Sequence, residues 1–266
     1  MTNLFLTMAF SWLVYAPAWA MDKMMITGSS TMAPLVTELA KSYQKIHTGA
    51  KIEVQTGGSA KGVSDCRNKL TDLGMVSRDL DATESDLVVT PIAKDGLAFT
   101  VHRDNPVKNI TTTQVIDIYT GKISNWATLG GPDRKIVVVS KAEGRGTLDL
   151  FLHYFKLKSS ELKAEIIIGD EEQGIKTVAS TPGAIAYLSV SATDGIDSTS
   201  SGIHTVSLDG IAATSERVRT NDYKVSRLLS LISCKTGNPD RDNFLRYVTS
   251  NDGQGLVRAL RFIPLR

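Results

Sequence analysis

A cluster of small hydroxyl residues follows the first strand-like run of the chain and precedes a helix. Ser29, Ser30 and Thr31 come directly after Gly28 and shortly before Pro34, a residue that the first turn of a helix tolerates. Hydroxyls and unpaired N–H groups at a helix N-terminus, which carries a partial positive charge, suit an anion bound without water. The competing interpretation is that these hydroxyls only cap the helix.

Two later turns repeat this arrangement of glycine and hydroxyl residues. Ser59 follows an alternating strand at residues 51–55 and precedes a helix predicted from Val63 to about Leu70. A third strand at residues 72–76 ends at Ser77. In an open α/β sheet the carboxyl ends of the strands meet at one edge, where ligands bind. We therefore expect the three turns to lie close together.

Two cations flank a further helix start in the middle of the chain. The β-branched run at residues 136–139 predicts a strand covered on both faces, and it leads to Lys141 and Arg145 just before a helix that reaches Phe155. The dipole at a helix N-terminus disfavours positive charge, so an anion between the two cations would resolve the conflict. Pairing of Glu143 with either cation is the alternative.

The composition limits the classes of function. The 266 residues are 42% hydrophobic and 22% charged, with a net charge of +2 that indicates no nucleic-acid surface. A secreted phosphatase or sulfatase could use Ser30, Ser59 or Ser77 as its nucleophile. None of the four histidines lies beside a hydroxyl turn, however, and the sequence has no G-x-S-x-G motif and no metal-ligand spacing. We therefore expect no enzyme and no cofactor.

The first 20 residues have the pattern of an export signal. They contain no charged side chain, have an apolar centre and end in an A-x-A-type cleavage pattern, so we predict a cleaved signal peptide rather than a membrane anchor. No cysteine follows to receive a lipid. Cys66 and Cys234 could pair in an oxidising compartment or stay as two buried thiols, and their spacing does not decide between these states.

The order of strands and helices predicts an α/β fold with two lobes. A strand pair at residues 91–101 leads out of the first lobe, and the turn-rich residues 102–106 are a candidate hinge. Beyond the signal peptide (1–20), we expect residues 21–101 and 204–266 to form one lobe and residues 102–203 the other. Each lobe would be a mixed sheet flanked by helices, joined by hinge strands, as in hinged binding proteins.

Six motifs together resemble one family, the phosphate-binding proteins of bacterial ABC transporters. In chain order they are Gly28-Ser29-Ser30-Thr31, Gly58-Ser59-Ala60-Lys61-Gly62-Val63, Gly74-Met75-Val76-Ser77-Arg78, Glu143-Gly144-Arg145-Gly146-Thr147, Pro182-Gly183-Ala184-Ile185-Ala186-Tyr187 and the tail from Gly253 to Leu265. The resemblance implies a periplasmic-binding-protein (Venus-flytrap) fold that closes on phosphate in a deep cleft between its lobes.

The resemblance also implies a set of ligand-binding residues. Thr31 would donate its hydroxyl and N–H, Met32 its N–H, and Gly146 and Thr147 would donate from the other lobe. The full implied set is Ser30, Thr31, Met32, Ser59, Ser77, Arg78, Lys141, Arg145, Gly146 and Thr147.

Three positions depart from the family pattern. Lys141 stands where the family often has an arginine, Arg145 where a serine is common, and Ser77 where several members have an aspartate that accepts the proton of hydrogen phosphate. A serine hydroxyl can donate or accept, so it tolerates a fully deprotonated oxyanion such as sulfate or molybdate as well. Arg78, Lys141 and Arg145 would make the site more cationic and less strict.

The resemblance further implies a periplasmic, monomeric protein whose partners are phosphate and a membrane permease, and it implies no nucleic acid. The departures leave open a secreted signalling or interaction protein that keeps the fold.

Overall fold

A computed structural model describes residues 23–234 and 238–265, so the predicted signal peptide lies outside the described residues. The strands are β1 (Met24–Gly28), β2 (Ile52–Thr56), β3 (Leu73–Val76), β4 (Val88–His102), β5 (Asn109–Ile110), β6 (Val137–Lys141), β7 (Ile166–Ile168), β8 (Ala184–Ser189), β9 (Ile203–Leu208) and β10 (Ser226–Ser233). The helices are α1 (Ala33–Ile46), α2 (Ser59–Arg67), α3 (Thr112–Tyr119), α4 (Gly146–Phe155), α5 (Glu171–Ser180), α6 (Val190–Thr193), α7 (Ser198–Ser201), α8 (Ser215–Arg219), α9 (Pro239–Thr249) and α10 (Asn251–Ala259). The α/β class predicted from the sequence is confirmed.

One mixed sheet runs through the molecule in the strand order β2-β1-β3-β10-β4-β8-β6-β7, and β9 pairs with both β4 and β5. Strands β1, β2 and β3 are parallel, as are β6, β7 and β8, whereas β10 is antiparallel to β3 and β4. Parallel pairing places the carboxyl ends of β1, β2 and β3 at one edge, as the sequence predicts.

Two main hydrophobic cores lie along this sheet. The first core contains Ile26, Leu39 and Phe244, and the second contains Phe99 and Phe151. Strand β4 passes from one to the other, because Ala93 packs in the first core and Leu97 in the second. Strand β10 crosses at the same level, since Val225 just before it belongs to the second core and Leu229 to the first.

Two elements differ from the sequence prediction. Helix α2 begins at Ser59 rather than at Val63. Gly58, directly before Ser59, has a φ of 97° and turns the chain there. The predicted strand pair at residues 91–101 is one continuous strand of 15 residues. Its turn-like glycine, Gly96, packs against Val190 and Val218, where an added Cβ would lie within 3 Å of both side chains.

A disulfide joins Cys66 in α2 to Cys234 just after β10, with Cα atoms 5.7 Å apart. The sequence left this pairing undecided because 168 positions separate the two cysteines. The bond ties the helix that begins at Ser59 to a strand that crosses between the cores. Among the described residues, no helix combines the length and hydropathy that crossing a membrane requires.

Candidate functional site

The ends of β1, β2 and β3 bring three serines into contact. Ser29 Oγ donates to Ser77 Oγ at 2.8 Å, and Ser77 Oγ lies 3.3 Å from Ser59 Oγ. The backbone N–H of Ser77 donates to Ser59 Oγ at 3.1 Å. Backbone bonds fix the turns, because the N–H groups of Gly57 and Gly58 both donate to the Gly28 carbonyl at 2.9 Å. The hydroxyl turns therefore form one buried cluster at the sheet edge.

The start of α4 faces this cluster from the second core. Thr147 Oγ1 lies 3.3 Å from Thr31 Oγ1, although 116 positions separate these residues. Gly146 packs so closely that an added Cβ would lie 2.5 Å from Ser77 Oγ and 2.7 Å from Ser59 Oγ. The predicted donors at the ends of β1, β2 and β3 and those at the start of α4 thus lie in contact, and this contact region is the meeting point.

Ser30 and Met32 lie at the margin of this meeting point. Ser30 Oγ donates to the Gly169 carbonyl, at the start of α5, at 3.4 Å. The Met32 side chain is buried in the first core, and its N–H donates to Ser29 Oγ over a long 3.4 Å. Met32 can therefore contribute to a site only through its backbone.

The helices whose N-termini lie here differ from the others in their caps. Among the described helices of eight or more residues, α3, α5, α9 and α10 each have a side chain that accepts from a first-turn N–H. The N-cap residues of α1, α2 and α4, which are Met32, Gly58 and Arg145, make no such bond. The capping interpretation of the first hydroxyl cluster is therefore not supported, apart from the long Met32–Ser29 contact. First-turn donors without a side-chain acceptor favour an external anion.

Lys141 is the buried cation of the site. The backbone N–H of Lys141 donates to the Tyr187 hydroxyl at 3.1 Å, and the Lys141 side chain is 2% exposed. Lys141 Nζ lies 3.2 Å from Glu171 Oε1, which also accepts from Thr31 Oγ1 at 3.1 Å. Burial lowers the pKa of Lys141, and the neighbouring Glu171 carboxylate opposes that shift. A carboxylate therefore lies among the predicted donors.

The other two predicted cations have different surroundings. Arg78 donates to both carboxylate oxygens of Glu84, at 2.7 and 2.8 Å, and these bonds lower the pKa of Glu84. Its Nε also lies 3.2 Å from Asp149, so Arg78 is engaged with carboxylates. Arg145 is partly exposed and has no carboxylate partner within the part of the chain that the structure describes. Its guanidinium lies beside Gly169, where an added Cβ would be 3.4 Å from Nη2.

Glu143, the alternative partner for these cations, contacts another residue. Its carboxylate accepts a short hydrogen bond from the Ser159 hydroxyl and makes no ion pair with Lys141 or Arg145 among the described contacts. The charge at the α4 start is thus balanced by Glu171 on the Lys141 side only.

Sequence reasoning missed Arg227 and Asp95. Arg227 Nη2 donates to Asp95 Oδ2 at 3.2 Å and to Thr147 Oγ1 at 3.0 Å. The side chains of Arg227 and Asp95 are at most 1% exposed. Asp95 in turn accepts from Ser189 Oγ at 2.7 Å. The signal that the sequence offers is weak: Asp95 and Arg227 are charged residues next to apolar runs that form strands.

The contacts close into a ring of six residues around the meeting point. Starting from Arg227 they pass to Asp95, Ser189, Glu171, Thr31 and Thr147 and return to Arg227. A cavity of about 190 Å³ adjoins this ring, lined by Arg227, Arg78, Asp149 and His153 among others. The described residues include no group of His, Cys, Asp and Glu that could hold a metal ion.

A sequence-family model described as a PBP superfamily domain matches residues 14–252. The phosphate-binding protein PstS of Bacillus subtilis (strain 168) is 33% identical over 254 residues, which are 92% of this chain and 82% of that protein. The phosphate-binding protein PstS of Borreliella burgdorferi is 28% identical, over 91% of this chain and 89% of that protein.

Solved structures give the same pattern of similarity. A putative phosphate ABC transporter substrate-binding protein from Clostridium perfringens, with bound phosphate, superposes with a TM-score of 0.86 at 33% identity and covers 92% of this chain and 100% of its own. An ABC-type phosphate transport receptor from Vibrio cholerae has a TM-score of 0.76 at 26% identity, over 91% of this chain and 99% of its own.

Proposed function

This chain belongs to the PstS family of phosphate-binding proteins within the PBP superfamily, and on that premise we propose that it binds inorganic phosphate for an ABC transporter. The relatives are named as binding proteins rather than enzymes. No covalent step is therefore needed, and the chemistry is replacement of the anion's water shell by fixed donors.

The observation that carries the proposal is the convergence of donors from two cores on one buried point. Thr31, just before α1, and Thr147, in the first turn of α4, lie 3.3 Å apart, although these helices pack in different cores. The buried Lys141 ammonium shares the Glu171 carboxylate with Thr31. Three helix N-termini without side-chain caps meet there. Such an arrangement supplies hydrogen-bond donors from several directions, as a tetrahedral oxyanion requires.

The acceptors in the site favour a protonated oxyanion. Ser77 accepts from Ser29 and can donate its own hydroxyl proton, so it does not discriminate between protonated and deprotonated anions. Glu171, in contact with Thr31 and Lys141, can only accept when it is ionised. A fully deprotonated anion such as sulfate or molybdate would face this carboxylate without a shared proton, whereas hydrogen phosphate brings one. We therefore place phosphate and arsenate ahead of these other oxyanions.

We also propose that the two cores are the cores of two lobes that close on the ligand. The crossings of β4 near Asp95 and of β10 near Arg227 are the hinge segments in this proposal. The protein would work as a monomer in the periplasm, where the closed form delivers phosphate to a membrane permease. A signalling protein that keeps the fold but binds no oxyanion is the alternative that the following experiment tests.

The test is thermal unfolding of the ligand-stripped mature protein with phosphate, arsenate, sulfate or molybdate. A ligand that binds only the native state stabilises it by about 2.7 kcal/mol at a hundredfold excess over Kd, which raises Tm by a few degrees at this size. We expect a shift with phosphate and arsenate. A shift with all four anions would indicate a broader oxyanion binder, and no shift with any of them would contradict the proposal.

Replacing Thr147 by valine tests the site itself. The substitution keeps the shape of a side chain that is 2% exposed but removes the hydroxyl between Thr31 and Arg227. We expect phosphate binding to weaken by about 1–3 kcal/mol, the range for a hydrogen bond to a charged group. Isothermal titration calorimetry measures this, with Thr48→Val in an exposed turn as the control. Unchanged affinity in Thr147→Val would remove Thr147 from the site.

A further inference from the structure

Arg227 occupies an unusual place for a charged side chain. It lies on β10 opposite Asp95 on β4, at the level where both strands cross between the two cores. Its side chain is only 1% exposed, and that of Asp95 is fully buried. Replacing a buried ion pair by apolar residues is often neutral for stability, so the pair alone is weak evidence for a structural role.

The hydrogen bonds of the guanidinium are incomplete. Only Nη2 has partners, Asp95 Oδ2 and Thr147 Oγ1, while Nε and Nη1 have none among the described residues although both atoms are buried. Lys141 Nζ is buried and likewise forms no hydrogen bond of good geometry there. Leaving a buried donor without a partner costs about 1–3 kcal/mol, and more when it is charged. Two buried cationic donors of Arg227 without a partner in the described part of the chain, close to the Lys141 ammonium, suit an anionic acceptor.

The neighbours of Arg227 place these donors at the proposed site. Thr147 Oγ1, which accepts from Arg227, is also the atom that meets Thr31 Oγ1. Arg227 is close enough to Lys141 for its charge to lower the Lys141 pKa. The same side chain also lines the 190 Å³ cavity, which no other residue of the ring lines. The guanidinium therefore contacts one proposed ligand donor, Thr147, and lies close to another, Lys141.

We propose that Arg227 is a direct ligand of the bound oxyanion, supplied by a strand that crosses between the cores and not by a helix N-terminus. This inference rests on the proposed function and adds a donor that the motifs do not contain. The planar guanidinium presents its remaining donors in fixed directions, whereas the Lys141 ammonium is a flexible point charge. Asp95 and Thr147 hold the guanidinium in place through Nη2, and the ligand accepts from one of the remaining donors, Nε or Nη1.

The experiment compares phosphate affinity with stability in four variants. Arg227→Lys keeps the charge but loses the planar guanidinium, and Arg227→Gln loses both. The double variant Asp95→Asn with Arg227→Gln removes the buried pair without leaving an unpaired charge. Arg219→Gln is the control, because Arg219 is an exposed arginine whose partner Glu216 is also exposed. Calorimetry gives Kd for phosphate, and thermal unfolding of the ligand-free proteins gives Tm.

We expect Kd to rise about ten- to a hundredfold in Arg227→Gln and in the double variant, with a smaller rise in Arg227→Lys and none in Arg219→Gln. A purely structural role predicts a different result, in which the double variant recovers both Tm and the wild-type Kd, and that result would overturn the inference. If Arg227→Gln does not fold, a wild-type Kd in Arg227→Lys and in the double variant overturns it equally. The wild-type titration separates the two proposals, since a wild-type protein that binds no oxyanion contradicts the proposed function and this inference with it.

Discussion

At the scale of single residues, the site combines donors with internal acceptors. Glu171 accepts from Thr31 and pairs with Lys141, so two proposed ligand donors already have an anionic partner. Asp95 does the same for Arg227. This balance lets buried cations persist without the full desolvation penalty of isolated charges. It also means that an oxyanion must compete with a carboxylate, so affinity depends on the protonation of the groups around it.

The lowered pKa of Lys141 gives a prediction about alkaline pH. Burial favours the neutral amine, so in the ligand-free protein Lys141 loses its proton at a lower pH than an exposed lysine. The free energy of unfolding gains from this group as pH rises, because the unfolded chain binds the proton more tightly. The pH dependence of phosphate affinity has the opposite sign, because the phosphate dianion binds the charged ammonium and not the neutral amine. We therefore expect phosphate affinity to fall at alkaline pH, with the decline starting below the usual lysine range.

Titrations of wild type and Lys141→Arg by calorimetry check this sign. The guanidinium stays charged over the whole range, so Lys141→Arg should lose the alkaline decline even if its affinity is lower at neutral pH. An equal decline in both proteins would attribute the effect to another group.

At the scale of elements, the site depends on how helix starts approach each other. Gly144 accepts from the Ala60 N–H at 3.3 Å, so the turn before α4 touches the first turn of α2. Gly58 lies against the same carbonyl, where an added Cβ would be 2.4 Å from Gly144 O. Small residues at these positions let two helix N-termini share one point.

Gly146→Ala tests this approach. Its added Cβ would lie 2.5 Å from Ser77 Oγ, so the two sides must separate to admit it. We expect weaker phosphate binding by about 1–3 kcal/mol, the usual cost of an extra methyl group in a tightly packed place, with little change in the Tm of the ligand-free protein. Gly255→Ala is the matched control, because its Cβ would meet nothing within 4 Å and alanine favours the α10 helix. Equal phosphate Kd values in the two variants would contradict the prediction.

The sequence predicted elements better than it predicted contacts between them. The hydroxyl turns after β1 and β3 and the α4 start were visible because glycine and serine have local reasons to be there. Arg227 was missed because a lone arginine before Leu228 and Leu229 reads as the exposed edge of a strand. Its role depends on a partner 132 positions away, and no local pattern encodes that pairing. The start of α2 was misplaced although its cause is local. Gly58, with its positive φ, ends the turn directly before Ser59, whereas the sequence prediction extended the turn to Val63.

At the scale of the whole molecule, few hydrogen bonds connect the first-core side of the site to the second-core side. Three of them, from Ser30 to Gly169, from Thr31 to Thr147 and from Ala60 to Gly144, span 3.3–3.4 Å, at the long end of the hydrogen-bond range. Thr31 also donates to Glu171 at 3.1 Å, and Arg78 Nε lies 3.2 Å from Asp149. So few contacts stabilise the closed arrangement only modestly. If the two sides of the site separate, the strands that bend are β4 and β10, which cross between the two cores. An anion that accepts from both sides would therefore supply much of the closing free energy.

Small-angle X-ray scattering tests this ligand-dependent closure. A compact chain of this length has a radius of gyration of about 18 Å, and we expect the phosphate-saturated protein to be near that value and the stripped protein to be larger. The change must come from differential affinity for the closed form, so it should follow the phosphate Kd in a titration. Thr147→Val is expected to need more phosphate for the same decrease, because it lacks one donor from the second-core side. If the radius stays constant while calorimetry reports saturation, the ligand binds without closure, and the two crossing strands are then a rigid support for the site and not a hinge.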